Sequence, residues 1–166
     1  MYSGKLRTGR NREAGVTLVE VILVVTIIGV LAGVLVLSSM RSTAHWELVT
    51  AARTLVSDLR ATRDIAFNTG EQSTLWIYQQ GGQYNNGFYM VYDAERQVWK
   101  DVYLPKTVRF SHIKGFQKVV ASQVYRVNFY PQTSGSGTVT LESATGESRY
   151  VKVYGNTARV RLSETP

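Results

Sequence analysis

The chain has no cysteine, which excludes a disulfide framework, a thiolate nucleophile and any cysteine-based metal site. It has little histidine: His45 and His112 are the whole complement, and neither falls in an H-E-x-x-H pattern or beside a carboxylate at ligand spacing. No metal and no cofactor is therefore expected. Neither a G-x-S-x-G elbow nor a phosphate-cradling Gly-Lys-Ser/Thr occurs, and Gly135-Ser136-Gly137 follows no strand-to-helix turn. Nothing in the residues supports an enzyme. His45, next to Trp46, reads as a wet interfacial residue.

What is present is unevenly distributed. The 166 residues suit one domain of ordinary size, and 44% are hydrophobic, but the apolar residues gather between Val16 and Leu37, where Glu20 is the single charge. A run of about 20 apolar residues is long enough to cross a bilayer as a helix, and a core helix rarely stays apolar on every face. Ahead of it stand Lys5, Arg7, Arg10 and Arg12 against Glu13 alone. The positive-inside rule then keeps residues 1–15 cytoplasmic and puts everything after Met40 outside the inner membrane. The formal charge of +7 is thus partly an insertion signal and weak testimony for a nucleic-acid partner.

A secretory signal is cut after its apolar stretch at small residues of the A-x-A type, and none follows Leu37. The distinctive residues lie at the near end instead, where Gly15-Val16-Thr17-Leu18-Val19-Glu20 joins the basic leader to the apolar run. This junction resembles the prepilin peptidase site of type IV pilins and type II secretion pseudopilins. The resemblance implies cleavage after Gly15, methylation of the new N-terminus at Val16, and retention of the helix as a filament core. Val16 stands where the family usually has Phe. A carboxylate inside an apolar helix costs about 2.5 to 3.5 kcal/mol at the centre and less near an interface, so Glu20 needs a partner. The resemblance supplies one for assembly, the α-amino group of the adjacent subunit.

Beyond Arg41 the helical period continues through Trp46, Val49, Ala52, Val56, Leu59, Ala66 and Phe67, interleaved with Glu47, Arg53, Asp58, Arg60 and Asp64. Asn68-Thr69-Gly70 reads as a stop, which predicts one helix of roughly 78 Å from Val16 to Phe67, with a gentle break allowed at Gly29, Gly33 or Ser38-Ser39. Strand patterns follow at 74–78, 87–92, 98–103, 107–110, 124–130, 137–141, 149–154 and 158–162, separated by Gly- and Asn-rich turns. The fold class expected is α+β and pilin-like: a long N-terminal helix, membrane-spanning then amphipathic, packed on a head of antiparallel strands. The domain reading is a removed leader over 1–15, a transmembrane and filament-core helix over 16–40, its amphipathic continuation over 41–68, and a β-rich head over 69–166.

The head resembles the GspH/FimT branch of minor pseudopilins and minor pilins in residues 59–66, in Asn86-Gly87-Phe88-Tyr89-Met90-Val91-Tyr92-Asp93, in Val127-Asn128-Phe129-Tyr130-Pro131 and in Thr157-Ala158-Arg159-Val160-Arg161. The branch commonly ends in Gly-Arg-x-Arg, and Ala158 occupies the glycine position here. The resemblance implies a minor subunit assembling with other pilins or pseudopilins into a type IV pilus or secretion pseudopilus, with a prepilin peptidase and an inner-membrane assembly platform as further partners. A competing function comes from the basic end. Arg159 and Arg161 share one face of a strand, since side chains alternate, and Arg149 and Lys152 precede them. Some relatives in the FimT group bind DNA through such a stretch, where phosphates would meet the guanidinium groups and Tyr150 or Tyr154 would stack on exposed bases. The bland alternative is a solvated sheet face.

Overall fold

The structure, a computed structural model, describes residues 17–79, 87–93, 98–119 and 123–166, with the side chains of 34–41 and 93 outside the described set. Contacts divide the chain into a unit ending at Ser39 and a second running from Met40 to Pro166. A single helix, α1, covers Leu18–Thr69. Its end is the one expected: Gly70 takes the left-handed conformation at φ 72°, and its amide donates to the Ala66 carbonyl at 3.1 Å, closing the last turn as a glycine cap does.

In the first unit every described side chain of α1 is exposed. In the second, the helix buries the stripe Ala44, Leu48, Ala51, Ala52, Leu55, Val56, Leu59, Thr62 and Ala66, the three- and four-residue spacing of one helix face. Trp46 and Phe67, placed on that stripe by the sequence pattern, lie off it, 62% and 67% exposed. Leu48, Ala51 and Leu55 fill the positions instead, because a stripe drifting by 3.6 residues per turn cannot hold both 46 and 48.

Among the described residues, nine strands make two antiparallel sheets. The first contains β1 (Ser73–Tyr78), β2 (Phe88–Asp93), β3 (Val98–Tyr103), β5 (Gln117–Lys118) and β6 (Val124–Phe129), in the order β3-β2-β1-β6-β5. The second contains β4 (Val108–Lys114), β7 (Gly137–Ser143), β8 (Ser148–Tyr154) and β9 (Arg159–Ser163), in the order β4-β7-β8-β9. Alternation is strict in β1, where Leu75 and Ile77 point inward and Thr74, Trp76 and Tyr78 outward. The inner residues of both sheets join the helix stripe in one core, with Tyr89, Phe129, Leu141 and Val151 among its fully buried members.

Polar ties between the helix and the head sit around this core. The Thr107 hydroxyl donates to Glu47, the Arg60 guanidinium donates to the Val160 carbonyl at 3.1 Å, and the buried Tyr89 hydroxyl donates to Asp58 Oδ2 at 2.5 Å. Glu47, Asp58 and Arg60, interleaved with the apolar positions in the sequence, are therefore structural ties.

Two irregularities mark the four-stranded sheet. The register of β4 against β7 shifts between Phe110 and His112, leaving Ser111 as an extra residue in β4. Between β8 and β9 a one-turn 3-10 helix, Gly155–Thr157, ends on Ala158 at φ 48°, the only left-handed non-glycine residue among those described.

Candidate functional site

Gly15 and Val16 lie outside the described residues, as does the 1–15 leader. The site begins at Thr17, whose hydroxyl accepts the Glu20 amide at 3.3 Å while its carbonyl accepts the same amide at 3.1 Å. This is half of a capping box, in which Ser or Thr caps the helix and an acid sits three residues on. Glu20 thus occupies the first turn, where the helix dipole favours a negative charge. Leu18, Val19, Val21 and Ile22 around it are 52 to 75% exposed, and among the described residues its carboxylate meets no basic group. The hydroxyl of Thr26 returns to the Ile22 carbonyl at 2.8 Å, which leaves Glu20 as the polar feature of an apolar surface. Among the described residues no helix is long and apolar enough to cross a membrane; the side chains of 34–41 fall outside that set.

The second candidate is assembled by strand register. Lys152 pairs with Arg161 and Tyr154 with Arg159 across β8 and β9. Val151, Val153 and Val160 are buried on the opposite face, so Lys152, Arg159 and Arg161 share the outer face with Tyr150 and Tyr154. None of the three cations has an ion-pair partner among the described residues.

Arg149 belongs elsewhere. It falls on the parity of Val151 and Val153, its side chain is only 12% exposed, and it pairs with Glu147 at 2.9 Å and Glu164 at 3.4 Å. His45 joins the same cluster through a 2.8 Å contact from Nδ1 to Glu147. That hydrogen bond first, then the charge of Arg149, holds the Glu147 carboxyl below its ordinary range. Arg149 is committed to the cluster and is not brought together with the other three basic residues.

Sequence reasoning missed the contribution of β4. Lys114 pairs with Thr138 and His112 with Thr140, and those threonines pair with Lys152 and Tyr150. The outer face therefore continues from β9 to β4. It holds an open hollow of about 570 Å³ lined by His112, Lys114, Thr138, Thr140 and Tyr150 among others. The acid on this face, Glu142, is held by Arg109 at 3.1 Å. Strand alternation within β4 would have given the facing of Lys114, but its neighbours in space depend on pairings a single sequence does not display.

Residues 10–36 match the model of the prokaryotic N-terminal methylation motif. The match covers the junction at Gly15 and most of the apolar run, and it supports a type IV pilin-like protein. No curated protein and no solved structure matches the chain.

Proposed function

We propose that the chain is a minor pilin or pseudopilin of the GspH/FimT kind, cut after Gly15, methylated at Val16 and held in the inner membrane by Val16 to Leu37 until it enters a filament. The prepilin peptidase and the assembly platform are its processing partners, and other pilin-like subunits its neighbours. One observation carries this reading: a lone carboxylate, Glu20, stands in the first turn of α1, on a largely apolar stretch whose described side chains are exposed, inside the matched methylation motif. Exposed apolar surface of this extent needs a cover of lipid or protein, and a carboxylate within it needs a cation. Cleavage before Val16 creates that cation at the corresponding end of each neighbour. Replacing Gly15 with Phe tests the reading. Accumulation of full-size precursor and loss of filaments is expected, and mature-size protein in normal filaments would show the assignment to be wrong.

A second reading is favoured by the register that gathers Lys152, Arg159 and Arg161 on one outward face with Tyr150 and Tyr154. On that reading the head captures DNA while the helix anchors it. Arg159→Ala with Arg161→Ala should weaken binding in a salt-titrated gel shift and flatten the dependence of log affinity on log salt by about one unit per lost phosphate contact. Unchanged binding would remove the site.

A further inference from the structure

We propose that the outer face of the four-stranded sheet takes a single-stranded nucleic acid laid across the strands, from Arg161 to Lys114, with a base seated in the hollow against Tyr150. The inference rests on the nucleic-acid reading above and deepens it. It extends the contact to β4, and it specifies which form of nucleic acid is held.

The starting point is one cross-strand row. Arg161 on β9 pairs with Lys152 on β8, Lys152 with Thr138 on β7, and Thr138 with Lys114 on β4. Neighbouring strands lie about 4.8 Å apart, so the row spans roughly 14 Å from end to end. None of its three cations is ion-paired among the described residues, and the Glu142 carboxylate, which itself lines the hollow, is held by Arg109 at 3.1 Å. Cations strung along a line suit a linear polyanion better than a compact ion, which would touch one or two of them at a time.

The next row decides the kind of polyanion. His112 pairs with Thr140, Thr140 with Tyr150, and Tyr150 with Ser163. Alongside the charges there is thus an aromatic ring, an imidazole and hydroxyls, bordering a hollow of about 570 Å³. Cations that track a backbone, with aromatic side chains on which bases stack, are the elements of single-strand binding. A duplex keeps its base faces inside the stack and offers only phosphates here, which leaves Tyr150 and the hollow unused. An acidic polysaccharide carries the charge but has no planar face for Tyr150. The extra residue in β4 falls at this point: both Ser111 and His112 lie outward while Phe110 and Ile113 are buried. Such a bulge re-aims side chains at functional sites.

The test uses the full-length protein in detergent and fluorescence anisotropy with three probes. They are a dye-labelled thymidine homopolymer about twenty nucleotides long, a duplex of equal length, and a sulfated polysaccharide as competitor. The single strand is expected to bind about tenfold more tightly than the duplex. Tyr150→Leu should lose about tenfold on the single strand alone, and Tyr150→Phe should keep the affinity. Lys114→Ala should reduce the single-strand salt slope by about 0.7. Equal binding of both forms, unchanged by Tyr150→Leu, would overturn the single-strand proposal and leave the DNA reading standing. Binding of neither form would overturn both. A polysaccharide competing as strongly as the single strand would also overturn the proposal.

Discussion

The backbone amide of Glu20 is hydrogen-bonded to the hydroxyl of Thr17 at 3.3 Å, a bond that any residue with an amide N–H makes here, so the Glu20 side chain is left to act through its charge. Glutamine keeps the backbone bond and the shape of the side chain but not the charge. Glu20→Gln is therefore expected to be processed normally and to enter filaments as poorly as Glu20→Ala. Filament yield by shearing and immunoblotting checks this. Wild-type incorporation of Glu20→Gln would show that the charge plays no part in assembly.

Tyr89 and Asp58 form the most deeply placed of the ties between the helix and the head. Tyr89→Phe leaves the Asp58 carboxylate without this donor and should cost about 1 to 3 kcal/mol in chemical denaturation. Burial first, then the hydrogen bond and charge of Asp58, drives the Tyr89 phenol well above its ordinary value of 10.0. Because the folded value is the higher one, the stability it contributes is present below about pH 10 and is lost as pH rises beyond that. Tyr89→Phe should show a shallower alkaline decline than the wild type.

The opposite sign applies at Glu147. Its carboxyl is depressed in the folded chain, with the His45 hydrogen bond as the largest cause. The stability it contributes is present above its ordinary value of 4.5 and is lost as pH falls through that value and below. Thermal midpoints from pH 7 to pH 3 should fall less steeply for His45→Ala than for the wild type. Equal slopes would show that the cluster contributes nothing to acid stability.

Ala158 occupies a left-handed position where the resembled branch places glycine. A left-handed alanine is strained by roughly 1 to 2 kcal/mol, while glycine carries an entropic cost of about 0.5 to 1 kcal/mol. Ala158→Gly is expected to stabilise the protein by about 0.5 kcal/mol, read as a rise in melting temperature. A fall would mean that the methyl group's burial against the core outweighs its strain.

Features governed by neighbouring residues in the chain were legible in the sequence. The helix stop at Asn68-Thr69-Gly70 and eight strand runs follow from cap chemistry and alternation, and all appear in the fold. The missed strand, Gln117–Lys118, is two residues long, too short for any period to register. Sequence alternation put Arg159 and Arg161 on one face correctly. Arg149 does carry a local mark, its parity with the apolar Val151 and Val153, but its pairing with Glu147 and Glu164 is displayed only by the folded chain. Lys114 joins the basic face for the same kind of reason, a pairing between β4 and β7 that only the folded chain displays.

The outer face of the five-stranded sheet gathers Trp76, Tyr78, Phe88, Tyr92, Trp99 and Tyr103, with Tyr78 and Phe88 stacked at 4.4 Å and Arg126 lying 5.2 Å over the Trp76 ring. The remaining tryptophan, Trp46, is exposed on the helix, so none of the three indoles is buried in the core. Trp46 and Trp99 are expected to emit as solvent-facing rings even in the native state, so that unfolding shifts their emission little and the partly buried Trp76 accounts for most of any change. A blue shift would instead report that something has covered them, and single Trp→Phe variants would tell which surface was covered.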